Sequence, residues 1–164
     1  MENKVIQDRL ALLRKKMQEE GIDFYMMPTA DFHNSEYVND YFKVREYFCN
    51  FTGSNGTLVV WKDGAGLWTD GRYFLQAEDE LSGSTIKLMK MFQTGVPAIE
   101  EYLYDKLSDG DRIGFDGRTL TTAFAEKIYN KVSSKNITFK YDIDFVGELW
   151  KDRPCLLYTS PSPR

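Results

Sequence analysis

Histidine and cysteine are scarce, with one His, His33, and two Cys, Cys49 and Cys155, among 164 residues. No His-x-x-x-His or paired-ligand spacing exists, which argues against an autonomous zinc centre, and no metal ligand is assigned. The two cysteines match no disulfide framework and are read as reduced thiols. No apolar run reaches the ~18 residues that a membrane-spanning helix needs, so no membrane partner is expected. The opening Met1-Glu2-Asn3-Lys4 leads into a charged amphipathic stretch and not an apolar leader, which places the expected location in the cytoplasm. On that reading the three Asn-x-Thr sequons beginning at Asn50, Asn55 and Asn136 are ordinary polar surface. An excess of positive charge is also missing. Lys and Arg number 21 against 25 Asp and Glu, a net charge of -4, so no nucleic-acid partner is expected.

What is present is a globular composition, 42% apolar and 15% aromatic against 28% charged. A chain of this length can remove roughly 70% of its unfolded surface from water, enough for a core of its own. Ile6, Leu10, Leu13 and Met17 recur at helical spacing, and Gly21 can end that helix in the left-handed conformation. A strand is predicted over 22–27, closed by Pro28, and a short helical or irregular aromatic-rich segment after the polar cluster 29–35. Two β-type runs, 57–61 and 66–69, flank an Asp-Gly turn and predict an antiparallel hairpin. Beyond it the pattern predicts a helix over 71–81 and a strand over 86–91. Next come a helix with Pro97 in its first turn, a strand over 112–115, a helix through Leu120, Phe124 and Ile128, and a strand around Ile137 to Tyr141. This order predicts an α/β fold, a mixed β-sheet flanked by helices on its faces.

Several motifs invite catalytic readings that the residues do not support. Gly53-Ser54-Asn55-Gly56 lacks the Gly-x-Ser-x-Gly form and is followed by no Lys-Ser or Lys-Thr, so turn chemistry before a strand explains it better. Asp70 and Asp116, near predicted strand ends, read as caps or turn residues. His33 lies within Asp31-Phe32-His33-Asn34-Ser35-Glu36-Tyr37, where it is either a hydrogen-bonded structural imidazole or a substrate-facing group. The sharpest anomaly is Trp68-Thr69-Asp70-Gly71-Arg72-Tyr73-Phe74-Leu75-Gln76-Ala77. Here Asp70 can cap, and Arg72 is a cation in the first turn of a helix, against the helix dipole. Either Arg72 pairs with a nearby acid, or it offers its planar fork to a carboxylate or carbonyl of a ligand or a neighbouring domain.

That stretch, with Phe48-Cys49-Asn50-Phe51-Thr52-Gly53-Ser54-Asn55-Gly56-Thr57, resembles the N-terminal domain of Xaa-Pro aminopeptidases, of the creatinase/prolidase group. The opening helix, His33 to Tyr37 and Leu149-Trp150-Lys151-Asp152-Arg153-Pro154 agree with it in order, so the resemblance covers residues 1–154. It is nearest to the three-domain form of the enzyme and implies a creatinase N-terminal-like sandwich. It also implies that peptide hydrolysis belongs to a further catalytic domain with two manganese ions, which this chain lacks and which leaves it inactive alone, binding no cofactor of its own.

The resemblance implies that Arg72 meets the substrate site and gives no defined role to His33, Tyr37 or Arg45; His33 stays a second substrate-binding candidate on its loop position alone. The partners the resemblance implies are the catalytic domain of a parent enzyme and short proline-containing peptides, with a homodimer as a further expectation. Residues 155–164 turn abruptly to Ser and Pro and read as a non-family tail, artefactual or disordered. The chain is thus expected to be a non-catalytic domain shaping substrate access and packing. The alternative is a free-standing interaction or dimerisation module, or an inactive truncated product.

Overall fold

The apolar stripe Ile6, Leu10, Leu13, Met17 forms the inward face of helix α1, Glu2–Glu20, and all four side chains are buried. The structure, a computed structural model, describes residues 2–28, 44–49, 51, 56–69, 71–91, 93–115 and 122–140. Gly21 closes α1 at φ 73°, with Gly21 N–H donating to Gln18 C=O at 3.3 Å and Ile22 N–H to Met17 C=O at 2.8 Å. This paired closure satisfies two orphan carbonyls and sets Ile22 against Met17 in the core. Strand β1, Phe24–Pro28, follows, and then α2, Val44–Cys49.

The expected hairpin is β2, Thr57–Trp61, and β3, Gly64–Thr69, paired antiparallel with Trp61 opposite Gly64. The chain continues through a 3-10 turn, Gly71–Tyr73, into α3, Phe74–Glu80, and then β4, Ile86–Lys90. Helix α4, Ile99–Lys106, strand β5, Arg112–Phe115, helix α5, Thr122–Val132, and strand β6, Thr138–Lys140, complete the order. The six strands form one sheet in the order β4-β3-β2-β1-β5-β6. Only β2 runs against the others, so the sheet is mixed, as expected.

Alternation along the strands divides the core between two faces. Tyr25, Met27, Leu58, Val60, Ala65, Leu67 and Ile86 pack beneath α1, α2 and α3. Phe24, Met26, Val59, Trp68, Ile113 and Phe115 pack beneath α4 and α5. On the second face Gly64 and Gly66 make room for tryptophan. A Cβ on Gly64 would lie 2.6 Å from Trp61 Nε1, and one on Gly66 would lie 2.9 Å from Trp68 Cζ3. Tyr102 from α4 closes over both indoles, with centroids at 5.3 Å from each.

Three sequence expectations shift. Pro97 does not enter the first turn of α4. The helix begins at Ile99 after an extended Ala98, and the Pro97 carbonyl instead accepts from Trp68 Nε1 at 3.0 Å. Glu101 supplies the N-terminal closure, its carboxylate accepting from Ala98 N–H at 3.0 Å. The helix expected over 71–81 opens as the 3-10 turn and becomes α-helical only at Phe74. The strand over 22–27 begins two residues later, because Asp23 is occupied in a turn, its Oδ2 accepting from Arg112 N–H at 2.8 Å.

Candidate functional site

The described parts of two family-like stretches, 48–57 and 68–77, meet at one edge of the sheet. Pro28 ends β1 opposite Thr57, Thr57 pairs with Trp68, and Thr69 pairs with Lys90, so β1, β3 and β4 all finish at this edge, where β2 begins. Phe115, at the end of β5, pairs with Met26 and brings the fourth parallel strand to the same side. In open α/β sheets the carboxyl ends of parallel strands are where loops gather to form sites.

Arg45 knits this edge together. It lies on α2, is 5% exposed, and donates from Nη1 to Gly56 C=O at 3.3 Å and from Nη2 to Phe51 C=O at 3.4 Å. Its guanidinium carbon also stands 4.9 Å from the centre of the Phe51 ring. Phe51 in turn meets Tyr73 edge to face, with centroids 5.9 Å apart. Gly56 is required by this packing: a Cβ there would lie 3.1 Å from Arg45 Nη1 and 3.3 Å from Trp68 C=O. A single buried cation therefore ties the segment entering β2 to α2, while Phe51 links it to the turn leaving β3.

Helix α2 has only six residues and is held from outside. Arg9 of α1 donates to Tyr47 C=O at 2.7 Å and lies 3.9 Å over the Tyr47 ring, satisfying a carbonyl that so short a helix cannot pair itself. Cys49, buried and a free thiol as expected, donates to Arg45 C=O at 3.0 Å. Sequence reasoning gave no role to Arg45 and left the region of α2 open as a short helical or irregular segment. The available signal was a cation set in the aromatic stretch Tyr47 to Phe51.

Arg72 is the middle residue of the 3-10 turn Gly71–Tyr73, directly after β3, and so stands at this edge. It precedes α3 and is not in its first turn, which removes the helix-dipole argument made for it. Tyr73, not Asp70, occupies the cap position of α3, and it makes no side-chain capping bond. His33, Tyr37, Asp70, Asp116 and Cys155 lie outside the described residues, as does the tail 155–164. The structure therefore brings Arg72 to the motif edge and does not report on His33.

Among the described residues no group of three or more His, Cys, Asp or Glu could hold a metal ion, so these residues supply no ligand set for a dinuclear centre. No helix among them is long and apolar enough to cross a membrane. Displaced titrations occur at the opposite edge. Burial lowers the Arg14 pKa, opposed by the nearby Asp63 carboxylate. Burial, and then Asp63, raise that of Tyr102.

Comparison with known proteins agrees with this arrangement. The family model described as Creatinase/Prolidase N-terminal domain matches residues 9–144. Aminopeptidase P2 of Arabidopsis thaliana is 41% identical over 152 residues, which is 90% of this chain and 21% of that protein. Xaa-Pro aminopeptidase 1 of Dictyostelium discoideum is 37% identical over 153 residues, 90% of this chain and 24% of the relative. The chain thus spans about a fifth to a quarter of the length of these curated relatives. Among solved structures, the X-prolyl aminopeptidase of Caenorhabditis elegans superposes with a TM-score of 0.84 at 33% identity, over 92% of this chain and 26% of that one. It is described as a cytosolic enzyme with a di-nuclear active site. An aminopeptidase P chain from Streptococcus thermophilus, 22% identical with a TM-score of 0.60, shares the fold over 88% of this chain and 98% of its own length.

Proposed function

The chain belongs to the Creatinase/Prolidase N-terminal domain family, and from that premise we propose that it serves as the non-catalytic N-terminal domain of a longer, cytoplasmic Xaa-Pro aminopeptidase. Its work is positional: it packs on a catalytic domain, narrows the approach to the active site and presents Arg72 to a short peptide with proline in second place. The observation that supports this reading most is the fixed placement of the turn carrying Arg72. Thr57 pairs with Trp68, Arg45 donates to Gly56, and Phe51 packs on Tyr73, so the turn has little freedom relative to the sheet. A guanidinium carried on such a platform can hold a carboxylate or carbonyl in orientation, and correct placement contributes to rate without proton transfer by the placed group. Leu75, 84% exposed three residues on, gives the same corner an apolar contact for a neighbouring domain.

Water activation belongs, on this reading, to two manganese ions held by the catalytic domain, and the described residues supply no ligands for them. His33 is the second residue we assign to peptide binding, and a second copy of the chain is a further packing partner.

The test has two parts. The purified 164-residue chain, with or without manganese, should release no amino acid from an Xaa-Pro peptide, whereas the longer enzyme should. In that enzyme, Arg72→Ala should lower kcat/KM. A loss confined to KM would indicate binding shared equally by substrate and transition state, and an unchanged kcat/KM would remove the substrate role and favour an interaction module.

A further inference from the structure

Independently of that reading, we propose that the opposite sheet edge carries an anion-binding cleft for a small organic dianion with an apolar body. A cleft of about 590 Å3 lies between the end of α1 and the β2–β3 turn. That is within the usual size range of small-molecule sites. Arg14, Lys15 and Lys62 line it, with Met17 and Ile22 as its apolar floor and Asp23 at its margin.

The cations are arranged in a way that leaves their charge available. Arg14 is anchored by Nε–H donation to Trp61 C=O at 2.9 Å, and its terminal nitrogens donate to no described residue. No carboxylate among the described residues lies within ion-pair distance of Arg14, Lys15 or Lys62. Arg112 stands beside the lining: its Nη1 lies 3.0 Å from where a Cβ on Gly21 would stand, and Gly21 lines the cleft. The left-handed glycine that ends α1 therefore also clears space for a guanidinium.

Among the described residues Asp23 is the one acid in the lining, and Asp63 and Asp111 line the adjoining cleft with Asp23 and Lys62. Asp23 has one carboxylate oxygen committed to the Arg112 backbone N–H at 2.8 Å, and Asp63 acts on Arg14 from beyond ion-pair distance. Three lining cations against one lining acid leave a local positive charge in a chain whose net charge is -4. Arg14 also pays a desolvation penalty, which a bound oxyanion would relieve. A fork from Arg14 flanked by two lysine ammonium groups suits a phosphate monoester better than a single carboxylate. The apolar floor suits a carbon skeleton attached to it.

Phenyl phosphate is the probe, followed in amide NMR spectra of the 164-residue chain. Saturable shifts grouped at Gly21, Ile22 and Lys62 are expected. Inorganic phosphate, which cannot use the apolar floor, should bind roughly five-fold more weakly, and benzoate, with one charge, should also bind more weakly. Lys15 and Lys62 are exposed, so the double variant Lys15→Gln, Lys62→Gln should keep its dispersed spectrum and melting temperature. It should lose about ten-fold or more in affinity. Shifts that scatter or fail to saturate, or an affinity unchanged in the double variant, would overturn the site. Equal binding of phenyl phosphate and inorganic phosphate, or of phenyl phosphate and benzoate, would overturn the ligand class.

Discussion

The two edges of the sheet are built on different principles. At the edge where β1, β3 and β4 end, geometry rests on long-range contacts: Arg45 reaches Gly56 and Phe51, and Phe51 meets Tyr73. At the other edge the turns close locally, and the long-range bonds there, Arg14 to Trp61 C=O and Arg112 N–H to Asp23, involve no fully buried cation. Gly21 ends α1 with two local bonds, the β2–β3 turn needs only Lys62 and Asp63, and Asp111 accepts from Ser108 N–H three residues back at 2.8 Å. Local turn chemistry is cheap and tolerant, whereas a buried cation shared by several segments fixes their relative positions at a desolvation cost. The positional role proposed for the first edge requires that kind of fixation.

The sharpest way to break the comparison is Arg45→Leu. It removes the Arg45 donors from the Gly56 and Phe51 carbonyls in a buried setting and should cost about 3 kcal/mol or more, read as a lower urea midpoint. Gly56→Ala should follow at about 2 kcal/mol, because the new methyl would crowd Arg45 and the Trp68 carbonyl. Gly21→Ala, at the other edge, should cost only about 1–2 kcal/mol, the strain of a left-handed alanine, because the Arg112 Nη1 it would meet at 3.0 Å is the end of a flexible side chain and not backbone. If Gly21→Ala proved as damaging as Arg45→Leu in the same denaturation series, the contrast between the edges would fail.

The smallest effect concerns alkaline pH. Tyr102 titrates above the ordinary tyrosine value because burial, and then Asp63, disfavour its phenolate. The folded state therefore holds this proton more tightly than the unfolded chain. Its contribution is fully present below the unfolded pKa of about 10 and is lost as pH rises from there towards the folded value. Tyr102→Phe should make the urea midpoint fall less between pH values either side of about 10. An identical fall in both proteins would show that Tyr102 does not contribute.

Much of the fold was legible because it rests on periodicity and turn residues. The α1 stripe, the left-handed Gly21 and the Asp-Gly hairpin carry local signals, and each is found where its pattern places it. Helix α2 was legible only as a short helical or irregular segment: six residues are too few for a helical period, and side-chain bonds of Arg9 and Arg45 tie it in place. Pro97 misled because its carbonyl is recruited by Trp68, 29 residues away, before the helix begins. The position of Arg72 after β3 was readable from the motif, but its place in a 3-10 turn was not. What holds that turn, Phe51 against Tyr73, is a contact between segments that no local spacing encodes.

The most direct test of the positional role is to measure kcat/KM for an Xaa-Pro peptide and the thermal midpoint together, in the longer enzyme carrying Arg72→Ala. The expected result is a fall in kcat/KM of about ten-fold or more with the midpoint unchanged. An unchanged kcat/KM, or a fall that merely tracks a lower midpoint, would contradict it.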